Sequence, residues 1–183
     1  MPAAGRPLVL LDRKAQGLDV AVRMGKLADS TLGARFLGMN PWVMVAAPRY
    51  LKKHGVPKRP ADLSGHDALI YSTVQGDDVW RLSSAKGEPV TVPMTGKLRS
   101  NNLSAVLAAA RNGLGIAALP RYVAGDSLTS GHVVEVMKDY TLPEQEIHAV
   151  FPSPKLVPGK VQAFVAFLQG HFGPRWWESM PKA

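Results

Sequence analysis

An α/β fold is predicted by three features of this sequence. Short apolar runs bounded by proline or glycine alternate with stretches of helical spacing. Two of those runs, PWVMVAAP and GIAALP, are apolar throughout, as strands buried on both faces are. Finally, RSNNLSAVLAAARNGLGIAALP, residues 99–120, joins a strand end, a capped helix, a tight stop and a second strand in one βαβ unit. Within it Leu103, Val106, Leu107 and Ala110 fall at i, i+3, i+4 and i+7, the spacing of one buried helical face. Ser100, Asn101 and Asn102 stand where short polar side chains satisfy the first free N–H groups, and Gly113 stands where a C-terminal stop is needed. The helix start gathers N–H donors and the positive end of the peptide dipoles beside a strand's carboxyl end. It is either a seat for an anion or polar ligand or an ordinary capped turn.

The other elements follow in chain order. LVLL at residues 8–11 and DVAVRMG from Asp19 read as strands, with Gly17 between them, and residues 32–37 alternate more weakly. PWVMVAAP is a central strand closed at both ends by proline, and RYLKKHG is a short helix ended by Gly55. VPKRPADLSGHD is a loop with one helical turn and ALIYS a strand. WRL, PVTVPM and GKLRS are three short strands separated by turn residues. After the βαβ unit, PRYVAG and DSLTSG suggest two brief helical turns, each ended by glycine. HVVEV and EIHAVFPS are strands, and VPGKVQAFVAFLQGHF is a helix with Val161, Phe164, Val165, Leu168 and Phe172 as its apolar stripe. Trp176 and Trp177 in the tail either pack onto the body or mark an exposed contact.

Composition excludes several chemistries. With 183 residues, 46% of them hydrophobic and 20% charged, the chain is an ordinary globular sequence of one domain or two small lobes. It has no cysteine, so disulfides, thiolate catalysis and cysteine zinc sites are impossible. The five histidines, His54, His66, His132, His148 and His171, lie far apart and outside metal-ligand spacings, so no metal is expected. No phosphate-binding glycine loop, GxSxG elbow or dinucleotide fingerprint occurs, and Asp77 and Asp78 sit in turn composition; neither an enzyme nor a cofactor is expected. No apolar run reaches the length of a membrane span, and the opening residues lack a signal-peptide pattern, so a cytoplasmic location without membrane contact is expected. The net charge of +8 invites a nucleic-acid partner. Its basic residues are scattered, however, and the densest group (Lys52, Lys53, Lys58 and Arg59) is broken by proline, so a solvated basic surface is the reading adopted.

Several stretches, taken in order, carry a resemblance: GLDVAVRMG, DSTLGARFLG, WVMVAAPRYLKKHGVPKRPADLSGHDALIYS, LRSNNLSAVLAAARNGLGIAALPRYVAGD and AVFPSPKLVPGKVQAFVAFLQGHF. Together they resemble the effector-binding domain of LysR-type transcriptional regulators over nearly the whole chain. The resemblance implies a two-lobed α/β fold like that of the type II periplasmic binding proteins. Residues 1–40 would be the first part of lobe I, 41–146 lobe II, 147–172 the return segment of lobe I and 173–183 a tail, with crossings near residues 38–41 and 144–148.

In function, the resemblance implies a domain that binds a small anionic effector in the interlobe cleft to control transcription. In such domains the helix after the lobe II strand points its N-terminus into the cleft, so Ser100, Asn101 and Asn102 would face the effector. Asp12, Arg23, Met24 and Gly25 would form the lobe I wall, with Ile116 and Phe151 as further candidates. Family members bind DNA through an N-terminal winged helix-turn-helix and assemble as homodimers or tetramers. The resemblance begins inside lobe I, so that helix-turn-helix and the lobe's first strand and helix fall outside it, and lobe I is expected to be incomplete. The rival readings are a solute-binding protein of the same fold, which would need an export signal, an enzyme built on it, and a remnant that senses nothing. Lys97, on the strand that leads to Ser100, is either an enzyme's cofactor lysine or a solvated surface lysine.

Overall fold

The computed structural model describes residues 18–27, 32–74, 78–155 and 157–178. Its elements run β1 (Ala21–Met24), β2 (Gly33–Asn40), β3 (Trp42–Ala46), α1 (Pro48–His54), a 3-10 turn (Pro60–Gly65), β4 (Asp67–Tyr71), β5 (Val79–Ser84), β6 (Pro89–Pro93) and β7 (Thr95–Ser100). They continue with α2 (Leu103–Arg111), β8 (Ile116–Pro120), α3 (Arg121–Thr129), β9 (Val134–Val136), β10 (Tyr140–Thr141), β11 (Gln145–Phe151), α4 (Gly159–His171) and a last 3-10 turn (Trp176–Glu178). The strand expected at residues 8–11 lies outside the described residues. The chain forms two compact units, one from residues 1–39 and 146–174, the other from residues 40–145 and 175–183.

In the first unit, a three-stranded sheet runs in the order β1-β11-β2. β1 and β11 are antiparallel, with Arg23 opposite His148 and Met24 opposite Ile147. Gly33 is demanded by packing, because a Cβ there would lie 2.1 Å from the ring of buried Phe151. α4 buries Val161 and Val165, one turn apart, whereas Phe164 is 44% exposed. The expected five-residue stripe is therefore narrower than its spacing suggested.

A five-stranded sheet in the order β7-β4-β8-β3-β9 organises the second unit. β7, β4 and β8 are parallel, so the β7-α2-β8 crossover passes over β4. β3 is antiparallel to both β8 and β9. Every residue of β3 and β8 is buried, which explains their unbroken apolar sequences. Side chains alternate between two cores. Trp42, Met44, Ala46, Ile70 and Ile116 pack with Tyr50, Leu51, Leu63, Trp80 and Leu82 on one face, while Val43, Val45, Leu69 and Leu119 pack with Val106, Ala110 and Ala124 on the other. A second sheet, β10-β5-β6, contributes Trp80, Leu82 and Val92 to the first of these cores.

PRYVAG and DSLTSG form one helix rather than two turns. α3 runs through Gly125, whose φ is not positive and whose missing Cβ faces open space, while Ala124 and Ser127 are buried. Burial of one face holds the helix together where local composition predicted a stop. The tail returns to this unit, with Trp176 buried and its ring 5.6 Å from that of Tyr122 at the start of α3.

Candidate functional site

Parallel strands bring their carboxyl ends to one edge of the second unit. Tyr71 ends β4 opposite Ser100, which ends β7, and the Ser72 N–H donates to the Ser100 carbonyl at 3.0 Å. β3 runs the other way, so its first residue, Trp42, lies opposite Pro120 at the end of β8 and reaches the same edge. The Trp42 and Tyr71 rings meet at 6.2 Å. The Trp42 indole is held by Gln145, whose Oε1 accepts from the Trp42 Nε1–H at 3.0 Å and from the Asn40 Nδ2–H at 3.2 Å.

The start of α2 is built into this edge. The Ser100 Oγ accepts from the Asn102 N–H at 3.1 Å, and the Asn102 Oδ1 accepts from the Ala105 N–H at 3.1 Å, a side-chain cap. The N–H groups of Leu103 and Ser104 precede the first helical carbonyl that could accept them. Asn101 and Asn102 are exposed, and Ser100 is partly so. Beside them Arg99 pairs with Asp78, which sits at a positive φ of 56°. Burial, and then the neighbouring Tyr71, raise the Tyr122 phenol above its ordinary value, so it stays a neutral hydrogen-bonding group at the start of α3. Hydroxyls, amides, N–H groups and aromatic rings meet here, a set suited to holding a polar ligand.

The sequence-predicted residues fall in different places. Ser100, Asn101 and Asn102 stand together at the carboxyl edge. Ile116 does not join them. It opens β8 opposite Ala68, toward the amino ends of the parallel strands, and its side chain is fully buried in the core. In the first unit, Arg23 and Met24 end β1, and the Gly25 N–H donates to the Glu146 carbonyl at 2.9 Å with a φ of 99°. Phe151 is 3% exposed and lines, with Arg35, Lys155, Val157, Gln162 and Gln169, a pocket of about 440 Å³. Asp12 lies outside the described residues. Lys97 is held by Asp67, Nζ to Oδ2 at 2.7 Å, near the amino end of β7, which leaves it away from Ser100. Trp42, Tyr71, Tyr122 and Gln145 were not singled out by sequence reasoning, although PWVMVAAP and ALIYS each carry one aromatic residue next to an end. No group of three or more metal-ligating side chains occurs among the described residues. None of the described helices is long and apolar enough to cross a membrane.

The family model described as the LysR substrate binding domain matches residues 5–173. An HTH-type transcriptional regulator of Haemophilus influenzae is 33% identical over 151 residues, covering 82% of this chain and 52% of that protein. The HTH-type transcriptional activator AaeR of Escherichia coli is 32% identical over 161 residues, covering 88% of this chain and 52% of its own length. The full-length structure of the Vibrio cholerae virulence activator AphB, a member of the LTTR protein family, superposes with a TM-score of 0.75 at 28% identity, covering 88% of this chain and 54% of that one. The chain thus spans about half the length of the curated relatives it matches. Its fold is that of the periplasmic-binding-protein-like regulatory domains, and the chain belongs to the LysR substrate-binding-domain family.

Proposed function

We propose that this chain is the effector-sensing domain of a LysR-type transcriptional regulator and that it binds a small carboxylate without transforming it. The observation that carries the reading is the carboxyl edge of the second unit. There Ser100 and Asn102 fix the start of α2, which leaves the N–H groups of Leu103 and Ser104 and the positive end of the helix dipole at one place, with Asn101 exposed beside them. Such an end favours an anion because unpaired N–H donors and the summed peptide dipoles act together. Family membership supports the role of sensor, since the relatives it matches are transcriptional regulators. In the first unit Arg23, Met24, Gly25 and Phe151 are the further candidate contacts, with Arg23 the charged one.

The regulator acts in the cytoplasm on DNA, through a helix-turn-helix outside the matched region, and works as an oligomer. Effector binding shifts an equilibrium between conformations of the domain, which requires the ligand to favour one of them. The test is thermal unfolding of the 183-residue chain with and without a panel of aromatic and aliphatic carboxylates. One ligand class raises the midpoint through mass action, and Asn101→Ala abolishes the rise while leaving the ligand-free midpoint unchanged. A midpoint moved by no acid, or a rise that survives Asn101→Ala and Arg23→Gln alike, refutes the assignment.

A further inference from the structure

The basic residues that look scattered along the sequence are gathered in space at one edge of the second unit. Residues 48–59 carry Arg49, Lys52, Lys53, His54, Lys58 and Arg59 and no acid. At about 3.6 residues per turn, Arg49, Lys52 and Lys53 share one exposed face of α1, opposite the face on which Tyr50 and Leu51 are buried. The helix is thus anchored by its apolar side and presents its cations outward.

Strand direction decides where this face lies. β3 runs against β8, so its last residues lie beside the start of β8, and α1 begins at the amino edge of the parallel strands, away from Ser100. α2 ends at the same edge, where the Arg49 Nη2 donates to the Arg111 carbonyl at 3.2 Å and to the Asn112 Oδ1 at 3.1 Å. Lys58 and Arg59 are held by Asp62, whose carboxylate accepts from both backbone N–H groups at 3.0 Å. Its charge is matched by the Arg59 guanidinium at 3.2 Å, and that of Asp67 by Lys97 at 2.7 Å. Arg49, Lys52, Lys53, Lys58 and Arg111 are therefore five exposed cations with no ion pair among the described residues.

We propose that this amino edge is a contact surface for the phosphate backbone of duplex DNA, carried by the sensing domain itself and separate from any helix-turn-helix. It lies at the other end of the sheet from the candidate effector site and does not rest on that site. The residue types choose the partner. Protein interfaces are depleted of lysine and centre on buried aromatic or arginine anchors. Three of the five cations here are lysines, and the large apolar side chains exposed on these segments, Val56 and Leu114, stand singly. Phosphates, in contrast, are held by separate Lys and Arg charges that release counterions and need no apolar anchor. Such contacts position a duplex without reading its bases.

The test is binding of a short fluorescent DNA duplex of mixed sequence to the 183-residue chain, read by anisotropy across a series of salt concentrations. Each phosphate neutralised steepens the fall of log affinity with log salt by about 0.9, so five contacts give a slope of roughly −4.5. Replacing Lys52, Lys53 and Lys58 together by glutamine should bring the slope to roughly −2 and weaken binding at least about tenfold. The control replaces Lys26, Lys155 and Lys160, exposed lysines of the first unit, by glutamine. It removes the same net charge and should leave the slope unchanged. All six side chains are exposed, so both variants should melt as the wild type does. Equal losses in the two variants would mean that the net charge of +8 alone attracts the duplex, and would overturn the surface. No binding at low salt would overturn it as well. Polyglutamate held more tightly than the duplex, and released by the same three substitutions, would make the partner an acidic protein and overturn the assignment to DNA.

Discussion

Gln145→Leu is the substitution whose cost the structure defines best. One oxygen, the Gln145 Oε1, accepts from both the Asn40 amide at 3.2 Å and the Trp42 indole at 3.0 Å. Asn40 is fully buried and Trp42 is 7% exposed, so little water is at hand to replace the lost acceptor. Each of the two donors that loses this acceptor costs about 1–3 kcal/mol, so the variant should lose about 2–6 kcal/mol. Leucine is close to glutamine in volume, which keeps any cavity contribution small. For a chain of this size about 1 kcal/mol lowers the midpoint by roughly 2–4 °C, so a fall of about 5–15 °C is expected in the melt of the second unit. Circular dichroism or calorimetry reads it. In a Trp42→Phe background the indole donor is already gone, and Gln145→Leu should cost at least about 1 kcal/mol less, a coupling between touching residues. A midpoint within about 2 °C of wild type, or an equal cost in both backgrounds, would refute the reasoning.

Three further outcomes follow from named contacts. Asn102→Ala removes the side-chain acceptor of the Ala105 N–H and should cost about 1 kcal/mol, seen as a small drop in melting midpoint; an unchanged midpoint would remove the cap from the account. Trp176→Ala empties a buried contact with Tyr122 and should cost about 3 kcal/mol in urea unfolding of the second unit, whereas a cost below about 0.5 kcal/mol would mean the tail is not anchored. His66 is buried beside Tyr50, whose hydroxyl accepts from the Asp67 N–H at 3.0 Å and donates to the His66 Nδ1 at 3.2 Å. Burial and then His54 hold the imidazole below its ordinary value of 6.5, against the opposing pull of Asp62 and Asp67. Its folded value is the lower one, so the stabilisation is present above the ordinary value and is lost as pH falls through it toward the folded value. Urea midpoints should therefore decline from about pH 7 to about pH 5, and His66→Gln should flatten that decline; an equal slope in both proteins would exclude His66 as its source.

What was legible in the sequence was what local physics specifies. The βαβ unit announced itself through Asn102 at the cap, the spacing of Val106 and Ala110, and Gly113, which takes a φ of 71° at the stop. Continuous apolar runs marked β3 and β8 because both are buried on two faces. Where tertiary packing overrode composition, the reading failed. Gly125 looked like a stop but sits within α3, Phe164 fits the helical stripe yet is exposed, and the two-residue β10 is too short for any period to reveal. The site divided along the same line. The capped start of α2 at residues 100–102 was legible because a cap has a local signature. Trp42 and Tyr71 meet only through the antiparallel insertion of β3, which no local pattern encodes. The place of Ile116 was hidden for the same reason, since the direction of its neighbours sets it opposite Ala68, at the other end of the parallel strands from Ser100.

The account's central claim is that a small acid binds at the start of α2. Backbone amide shifts of ¹⁵N-labelled protein, followed while the carboxylate that raises the melting midpoint is titrated in, test it most directly. The largest saturable shifts should fall on Leu103 and Ser104 and on residues 100–102, and should vanish in Asn101→Ala. Shifts concentrated elsewhere, for instance along α4, with residues 100–104 unmoved, would contradict the claim.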